Sequence, residues 1–184
     1  VNLDLVKILR CNVREPNQVV GDFYSLAACN DVGHRRLVAM MAETGMGSLD
    51  ALGHFIFSRT REAMLSRIKA LPRGSWSNEL TTDGYDVPVK LAARVTIADD
   101  HVNVDFTGSD PQVPGPMNAP LTVTASGVFC ALKMIADPKS LIPPNSGCWR
   151  PVTVTAPPGS VVNAQLPAPV VYANHEMSHR VADM

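Results

Sequence analysis

The spacing of the apolar residues changes at Arg73, and this change constrains the fold more than any other feature of the sequence. From residue 1 to 72, apolar residues recur every three or four positions, as they do on one face of an α-helix. Apolar and polar residues alternate from Val89 to Ile97 and again from Val102 to Phe106, which is the pattern of strands with one buried face. Asp99-Asp100 separates these two runs, so we expect a β-hairpin there.

Helix breakers divide the first part of the chain into three predicted helices. Pro16 ends the first helix, and Asn17 is expected to cap the second. The second helix closes at Gly45. Ser48 then stands at the N-cap position of a third helix, which keeps its spacing until Pro72.

The second half of the chain is rich in proline, with twelve of the fifteen prolines beyond residue 110. They separate a predicted helix at about 121 to 136, a strand at about 152 to 156 and a last helix that starts at Asn174. These loops are interleaved with apolar runs, so they do not resemble a linker. We predict one α+β domain over 1–184, with N-terminal helices, a central β-hairpin in a mixed sheet, and a proline-rich loop and helix region.

Charge and composition argue against several classes of partner. The formal net charge is -1 and no run of Lys or Arg occurs, so we expect neither nucleic acid nor a membrane as a partner. The longest apolar run is interrupted by Thr, Ser and Lys, and it is too short to span a bilayer. The four cysteines form no C-x-x-C pair, which favours a cytoplasmic protein with reduced, mostly buried thiols, with disulfides as the alternative.

One segment, His175-Glu176-Met177-Ser178-His179, matches the H-E-x-x-H pattern of zinc hydrolases. On a helix the two imidazoles would lie one turn apart, and the glutamate could activate a metal-bound water. Zinc also needs a third protein ligand, and Asp183, the only acidic residue after this segment, would be an unusual choice. A zinc metallohydrolase through His175, Glu176 and His179 is therefore a minor alternative.

Two other kinds of site lack their sequence signals. The chain contains no G-x-S-x-G, so a serine hydrolase is weakly supported. It also contains no glycine-rich phosphate loop, so we do not expect it to bind ATP by itself.

The stretch from Val104 to Pro120 carries four prolines and two glycines, and it leads from a strand into a helix. Proline and glycine together hold a loop in one shape, which suits either a binding site or a stiff connector. Asn118 lies in this loop, and Asn145, Asn163 and Asn174 lie at similar bends or helix starts. Such amides are common turn and cap residues, but on rigid loops they can also orient a small polar ligand.

Several of these segments resemble one family. The sequence D-F-T-G-S-D-P-Q-V-P-G-P-M-N-A-P from Asp105 to Pro120 is similar to the hydantoinase B/oxoprolinase family, as are N-S-G-C-W-R-P from Asn145 to Pro151 and the earlier stretch from Asn30 to Leu37. The similar segments occur in the same order as in the family and extend over nearly all 184 residues. The resemblance implies that the chain is a fragment from the middle of a longer hydantoinase B-type chain.

The resemblance also implies a function. Members include 5-oxoprolinase, N-methylhydantoinase and the related acetone and acetophenone carboxylases. In these systems a hydantoinase A-type subunit or domain binds ATP and phosphorylates the substrate oxygen, and the B part completes the reaction with water or bicarbonate. We therefore expect an ATP-dependent, multisubunit hydrolase of cyclic amides, with a ketone carboxylase or a non-catalytic assembly module as alternatives. The fragment by itself is expected to be inactive.

The resemblance finally implies where the site residues lie. The family's divalent-metal ligands precede the first residue of this chain, so we expect no metal site here, and ATP with Mg²⁺ belongs to the partner subunit. The family pattern Asn-x-Glu-x-Ser-x-Arg corresponds to Asn174, Glu176, Ser178 and Arg180. We expect Asn118, Asn174, Glu176 and Ser178 to bind the substrate, with no catalytic residue assigned.

Overall fold

The structure is a computed structural model and describes residues 2–84 and 86–184. Contacts divide the chain into two compact units, Val1–Leu52 and Gly53–Met184. The helices in the described residues are α1 (Leu3–Asn12), α2 (Pro16–Glu43), α3 (Asp50–Lys69), α4 (Leu121–Ala136) and α5 (Ser178–Asp183), with a π-helix (Ala173–Met177) directly before α5. The strands are β1 (Gly74–Thr82), β2 (Val89–Ile97), β3 (Val102–Asp105) and β4 (Val152–Thr155). The predicted α+β class is confirmed.

The first unit contains α1 and α2, and one of its predicted caps is wrong. Asn17 does not cap α2, because that helix already begins at Pro16. Proline suits the first helical position, where its fixed φ is helical and its missing N–H is not needed. Asn17 instead lies in the first turn, where its Oδ1 accepts a hydrogen bond from Arg10 Nη1 at 2.9 Å.

The boundary between α2 and α3 follows the sequence prediction. Gly45 adopts a φ of 67° just after α2, the left-handed conformation with which many helices end. The Ser48 hydroxyl accepts a hydrogen bond from the Asp50 backbone N–H at 3.0 Å, so it satisfies a free donor at the start of α3.

The second unit is built on a sheet with strand order β1-β2-β3-β4. The predicted hairpin of β2 and β3 is confirmed, with Ile97 opposite Val102. β4 pairs with β3 in parallel, which requires the crossover that α4 provides. β1, which the apolar pattern did not predict, pairs with β2 along its whole length, from Gly74 opposite Ile97 to Thr82 opposite Val89.

The core of the second unit lies where α3, α4, α5 and the π-helix bury side chains with those of β2 and β3. Its largest fully buried apolar side chains are those of Phe106, Met64, Ile68, Leu91 and Met177. Such burial is the main stabilising contribution in a domain of this size.

The loop from Asn145 to Arg150 packs on α3 through several specific contacts. The Asn145 Oδ1 accepts hydrogen bonds from the Thr60 hydroxyl at 2.9 Å and from the Gly147 N–H at 2.8 Å. A Cβ on Gly147 would lie 2.3 Å from the Phe57 carbonyl oxygen, so only glycine fits this approach. The Arg150 guanidinium lies over the Phe57 ring, 5.7 Å from its centroid. This family-like segment therefore serves to fix α3.

The cysteines are less buried than predicted. All four are free thiols, but Cys11, Cys29 and Cys130 are exposed and only Cys148 is buried. The expectation of mostly buried thiols is wrong, because these three side chains lie on the exposed faces of α1, α2 and α4. In the described part of the chain, none of the helices is both long enough and apolar enough to cross a bilayer.

Candidate functional site

A cleft of about 420 Å³ opens in the second unit between the end of β1 and the π-helix. Its floor includes Met117, which directly precedes Asn118. The described residues that line it are Thr82, Asp83, Gly84, Met117, Tyr172, His175, Glu176 and Arg180. Apolar and polar side chains share its lining, and a few polar groups in a concave site can fix the orientation of a small molecule.

Glu176 and Arg180 form an ion pair in this cleft. Glu176 Oε1 accepts a hydrogen bond from Arg180 Nε at 2.9 Å and a longer one from the Thr82 hydroxyl at 3.4 Å. Their side chains remain 36% and 41% exposed, so the pair contributes only about 0–1 kcal/mol to stability. Its main effect is to orient the carboxylate and the guanidinium with respect to each other.

The π-helix explains how these side chains reach the cleft. Ala173 and Met177 are buried and attach the π-helix to the core, while Glu176 between them faces the cleft. A π-helical turn contains one residue more than an α-turn and often occurs at functional sites. The Ser178 hydroxyl donates to the Asn174 carbonyl oxygen at 2.8 Å, four residues earlier. Neither Asn174 nor Ser178 lines the cleft, so Glu176 is the only one of the four predicted residues that lines it.

Asn118 directly follows the cleft residue Met117 and is fully buried, and its amide joins two loops. Its Nδ2 donates to the carbonyl oxygens of Val113, Gly115 and Pro169 at 2.8 to 2.9 Å, and its Oδ1 accepts from the Val113 N–H at 2.8 Å. Both amide donors are therefore used within the protein. Contact of Asn118 with a substrate stays a prediction, and the structure assigns it a role in positioning the loops.

The segment between β3 and Asn118 continues the sheet by means of side chains. Beyond the last β3 residue, the Ser109 hydroxyl accepts from the Ala92 N–H at 3.0 Å and donates to the Ala92 carbonyl oxygen at 3.1 Å. Asp110 Oδ2 accepts from the Lys90 N–H at 2.7 Å, and the Asp110 N–H donates to the Lys90 carbonyl oxygen at 3.0 Å. Ser109 and Asp110 therefore provide hydrogen-bond partners for the backbone groups of β2 that lie beyond the end of β3. This explains why the proline-rich loop is held in one shape.

The His175 and His179 pair lacks the surroundings of a zinc site. Within residues 2–84 and 86–184, no three His, Cys, Asp or Glu side chains come together as metal ligands. Glu176, which would be the general base in such a site, is paired with Arg180 instead. The described donors therefore do not fit the zinc ion of an H-E-x-x-H site, and we assign no reaction step to a metal.

The other two asparagines noted in the sequence support loops away from the cleft. Asn145 braces α3, and Asn163 donates from Nδ2 to the Ala156 carbonyl oxygen at 2.8 Å. The sequence interpretation missed Arg180 and Thr82 as partners of Glu176. The spacing of four residues between Glu176 and Arg180 was a usable signal, since such pairs meet on a helix. Thr82 gave no signal, because it lies 94 residues from Glu176.

Comparisons with known proteins agree on one family. The B-type chain of a putative D-/L-hydantoinase from Pseudomonas sp. (strain NS671) is 33% identical over 96% of this chain and 32% of its own length. 5-oxoprolinase 1 from Arabidopsis thaliana is 26% identical over 90% of this chain and 14% of its own length. The crystal structure of the ATP-dependent caprolactamase from Pseudomonas jessenii superposes with a TM-score of 0.84 and 27% identity over 99% of this chain and 32% of that one.

The chain spans about a third of the length of that hydantoinase chain and of that caprolactamase chain. The family model described as hydantoinase B/oxoprolinase matches residues 1–184, which is the whole of the sequence. This chain belongs to the hydantoinase B/oxoprolinase family.

Proposed function

We propose that this chain is part of an ATP-dependent hydrolase of cyclic amides and that its cleft holds the cyclic amide. The observation that carries the proposal is the Glu176–Arg180 pair in an open cleft, within a chain similar to one chain of a hydantoinase and to a caprolactamase. An acceptor and a donor on neighbouring side chains suit an amide, which itself offers an N–H and a carbonyl oxygen.

The chemistry explains why ATP is needed. An unstrained amide is a poor electrophile, so transfer of the γ-phosphoryl group of ATP to its oxygen makes the carbon susceptible to attack. One water then adds to that carbon, and the ring C–N bond breaks as the nitrogen takes up a proton, which leaves an acyl phosphate. A second water hydrolyses the acyl phosphate to the carboxylate and inorganic phosphate. The chain carries no glycine-rich phosphate loop, which supports the assignment of ATP and Mg²⁺ to a hydantoinase A-type partner.

Four residues are proposed to serve the substrate. Glu176 contacts it directly, and Asn118 holds the cleft floor from behind. Asn174 and Ser178 lie on the same helical turn as Glu176, and the bond from the Ser178 hydroxyl to the Asn174 backbone carbonyl oxygen is proposed to fix this turn. No nucleophile is assigned among them. That the 184 residues form a single domain from the middle of a longer chain also stays a prediction.

The test is an assay of ATP hydrolysis by the full-length chain together with its hydantoinase A-type partner. Hydantoin, 5-oxoproline, caprolactam and acetone are supplied in turn, each with and without bicarbonate. The proposal predicts phosphate release with a cyclic amide and independence from bicarbonate. Phosphate release only with a ketone and bicarbonate would instead identify a carboxylase.

A second candidate function, assembly with the ATP-binding partner, is favoured by the surface of α2. Only Val20 of its 28 residues is buried, whereas many of its large apolar side chains are exposed: Phe23, Tyr24, Leu26, Val32, Leu37, Val38 and Met40. A surface of this kind typically marks an interaction site. Leu26→Glu and Val38→Glu are expected to abolish co-purification with the partner. If the chain served only in assembly, Glu176→Gln would keep full activity.

We place this enzyme in the cytoplasm as part of an oligomer. The four free thiols support a reducing compartment, and the net charge of -1 gives no reason to expect nucleic acid or an anionic membrane as a partner. Size-exclusion chromatography of the full-length complex with its partner tests the oligomer, and an elution volume of a single free chain contradicts it.

A further inference from the structure

The Glu176–Arg180 pair is joined through only one atom of each group. The recorded contacts are those of Glu176 Oε1, which accepts from Arg180 Nε at 2.9 Å and from the Thr82 hydroxyl at 3.4 Å. Glu176 Oε2 and the two Nη groups of Arg180 have no hydrogen-bond partner among the described residues. A fork-to-fork pair would have used these atoms as well. One strong acceptor and one strong donor of the same ion pair therefore remain available in the cleft.

The pair is held on a rigid support. Met177 directly follows Glu176, and Val181 directly follows Arg180. Met177 and Val181 are both buried in the core. On the other side of the cleft Thr82 is 6% exposed and belongs to a strand that pairs with β2 over its whole length. Because its neighbours fix the backbone on both sides, the pair is preorganised before any ligand arrives.

The charges around the cleft favour a neutral ligand. Its described lining carries two carboxylates, of Asp83 and Glu176, against the single guanidinium of Arg180. A substrate that carries a carboxylate would meet unfavourable electrostatics there, whereas an uncharged amide would not.

The arrangement of acceptor beside donor matches one geometry of the amide group. In a small ring the amide is forced to be cis, so its N–H and its carbonyl oxygen lie on the same edge. A linear secondary amide is almost always trans, with these two groups on opposite edges. Only the cis edge can give its N–H to a carboxylate and its oxygen to a guanidinium at the same time.

We propose that Glu176 Oε2 accepts the ring N–H of a cyclic amide while an Arg180 Nη group donates to the carbonyl oxygen of the same amide. The pair thus selects neutral, N–H-bearing lactams and hydantoins over N-alkylated rings and linear amides. This inference rests on the proposed function, of which it specifies the substrate class and the two atoms that recognise it.

The test measures binding of three probes to the full-length chain by isothermal titration calorimetry: 2-piperidone, N-methyl-2-piperidone and N-methylacetamide. The wild-type chain is expected to bind 2-piperidone about 10- to 100-fold more tightly than either of the other two, as for a lost hydrogen bond to a charged group. Equal affinity of the wild-type chain for 2-piperidone and its N-methyl derivative, or no binding of 2-piperidone at millimolar concentration, overturns the inference.

Two variants separate recognition from folding. In Glu176→Gln the oxygen of the Gln side chain is expected to accept from Arg180 Nε, so its NH₂ group faces the ring N–H of the ligand. Two donors then face each other, so the affinity for 2-piperidone falls while that for N-methyl-2-piperidone does not. Arg180→Lys loses the fork that reaches the carbonyl oxygen, so the affinities for both rings fall together. Glu62→Gln, which breaks an exposed Glu62–Arg59 pair on α3, is the matched control and leaves all affinities unchanged.

The outcomes distinguish this inference from the proposed function. A fall of equal size for both rings in Glu176→Gln contradicts N–H recognition, whatever the enzyme's activity. Selective binding of 2-piperidone without any ATP-dependent ring opening by the complex contradicts the proposed function and leaves the recognition standing.

Discussion

The side-chain amide of Asn118 donates a hydrogen bond to the Pro169 carbonyl oxygen at 2.9 Å and joins two loops that are 51 residues apart in the sequence. The same amide group also bonds to the backbone of Val113 and Gly115. A second link lies alongside, from the Tyr172 N–H to the Pro116 carbonyl oxygen at 3.1 Å. The two segments that carry the cleft residues Met117 and Tyr172 are therefore held together.

Replacing Asn118 with Ala is expected to lower the free energy of unfolding by about 2–4 kcal/mol, because it leaves several buried backbone groups without a partner. Urea unfolding of the full-length chain measures this. Asn163→Ala is the matched control, since it removes a single side-chain bond, to the Ala156 carbonyl oxygen, and is expected to cost about 1 kcal/mol. Equal losses in the two variants would mean that the Asn118 amide does not clamp these loops.

Gly147→Ala is expected to destabilise the second unit by at least about 2 kcal/mol. A new Cβ would lie 2.3 Å from the Phe57 carbonyl oxygen and 2.5 Å from the Thr60 hydroxyl, and the α3 backbone cannot yield as a flexible side chain would. Gly53→Ala, also on α3, meets no atom within 4 Å and should stabilise the helix by about 0.5–1 kcal/mol. Opposite signs in thermal unfolding are the expected result, and two stabilised variants contradict the close packing.

Asp137 makes stability depend on pH below about 4. Its hydrogen bonds from the Lys133 ammonium and from the Ile142 and Leu141 N–H groups lower the pKa of its carboxyl to about 2. Since this value lies below the unfolded pKa of about 3.9, the contribution is complete above pH 4 and is lost as the pH falls toward 2.

Acid titration of unfolding checks this expectation. The wild-type chain should lose stability between pH 4 and 2 more steeply than Asp137→Asn, which should already be less stable at pH 5. Parallel curves for the two proteins contradict the assignment.

The charge of the cleft predicts a preference between substrates. Asp83 is exposed on its lining, and its carboxylate repels an anionic ring such as 5-oxoproline. Asp83→Asn is expected to raise kcat/KM for 5-oxoproline about two- to five-fold at low salt and to leave hydantoin unchanged. High salt should erase the gain, and an equal gain for both substrates argues against an electrostatic cause.

The helices and the β2–β3 hairpin were predictable because their apolar residues repeat with the period of the element. Val89 and Leu91 are buried on either side of the half-buried Lys90, as the pattern indicated, whereas Ala92 is buried together with its neighbour Ala93. Local polar signals also succeeded at Gly45 and Ser48, where the chemistry depends only on near neighbours. The resemblance supplied the family, which the comparison with the family model confirmed.

The cleft could not be predicted from the sequence, because its walls come from distant segments. β1 is an edge strand with mostly exposed polar residues, so it shows no apolar alternation, and Thr82 at its end was missed with it. The sequence predicts a ligand-binding amide at Asn118, and this stays a prediction. Its bonds to three backbone carbonyl oxygens could not be predicted, because one of them belongs to Pro169, which is far away in the sequence.

The most direct test of the central claim compares Glu176→Gln with Glu62→Gln in the full-length chain together with its ATP-binding partner. ATP-dependent ring opening of hydantoin is measured as kcat/KM, after circular dichroism has shown that both variants are folded. The account predicts a loss of about 10- to 100-fold for Glu176→Gln, as for a lost hydrogen bond to a charged group, and no change for Glu62→Gln. Unchanged kcat/KM in the folded Glu176→Gln complex would contradict the account.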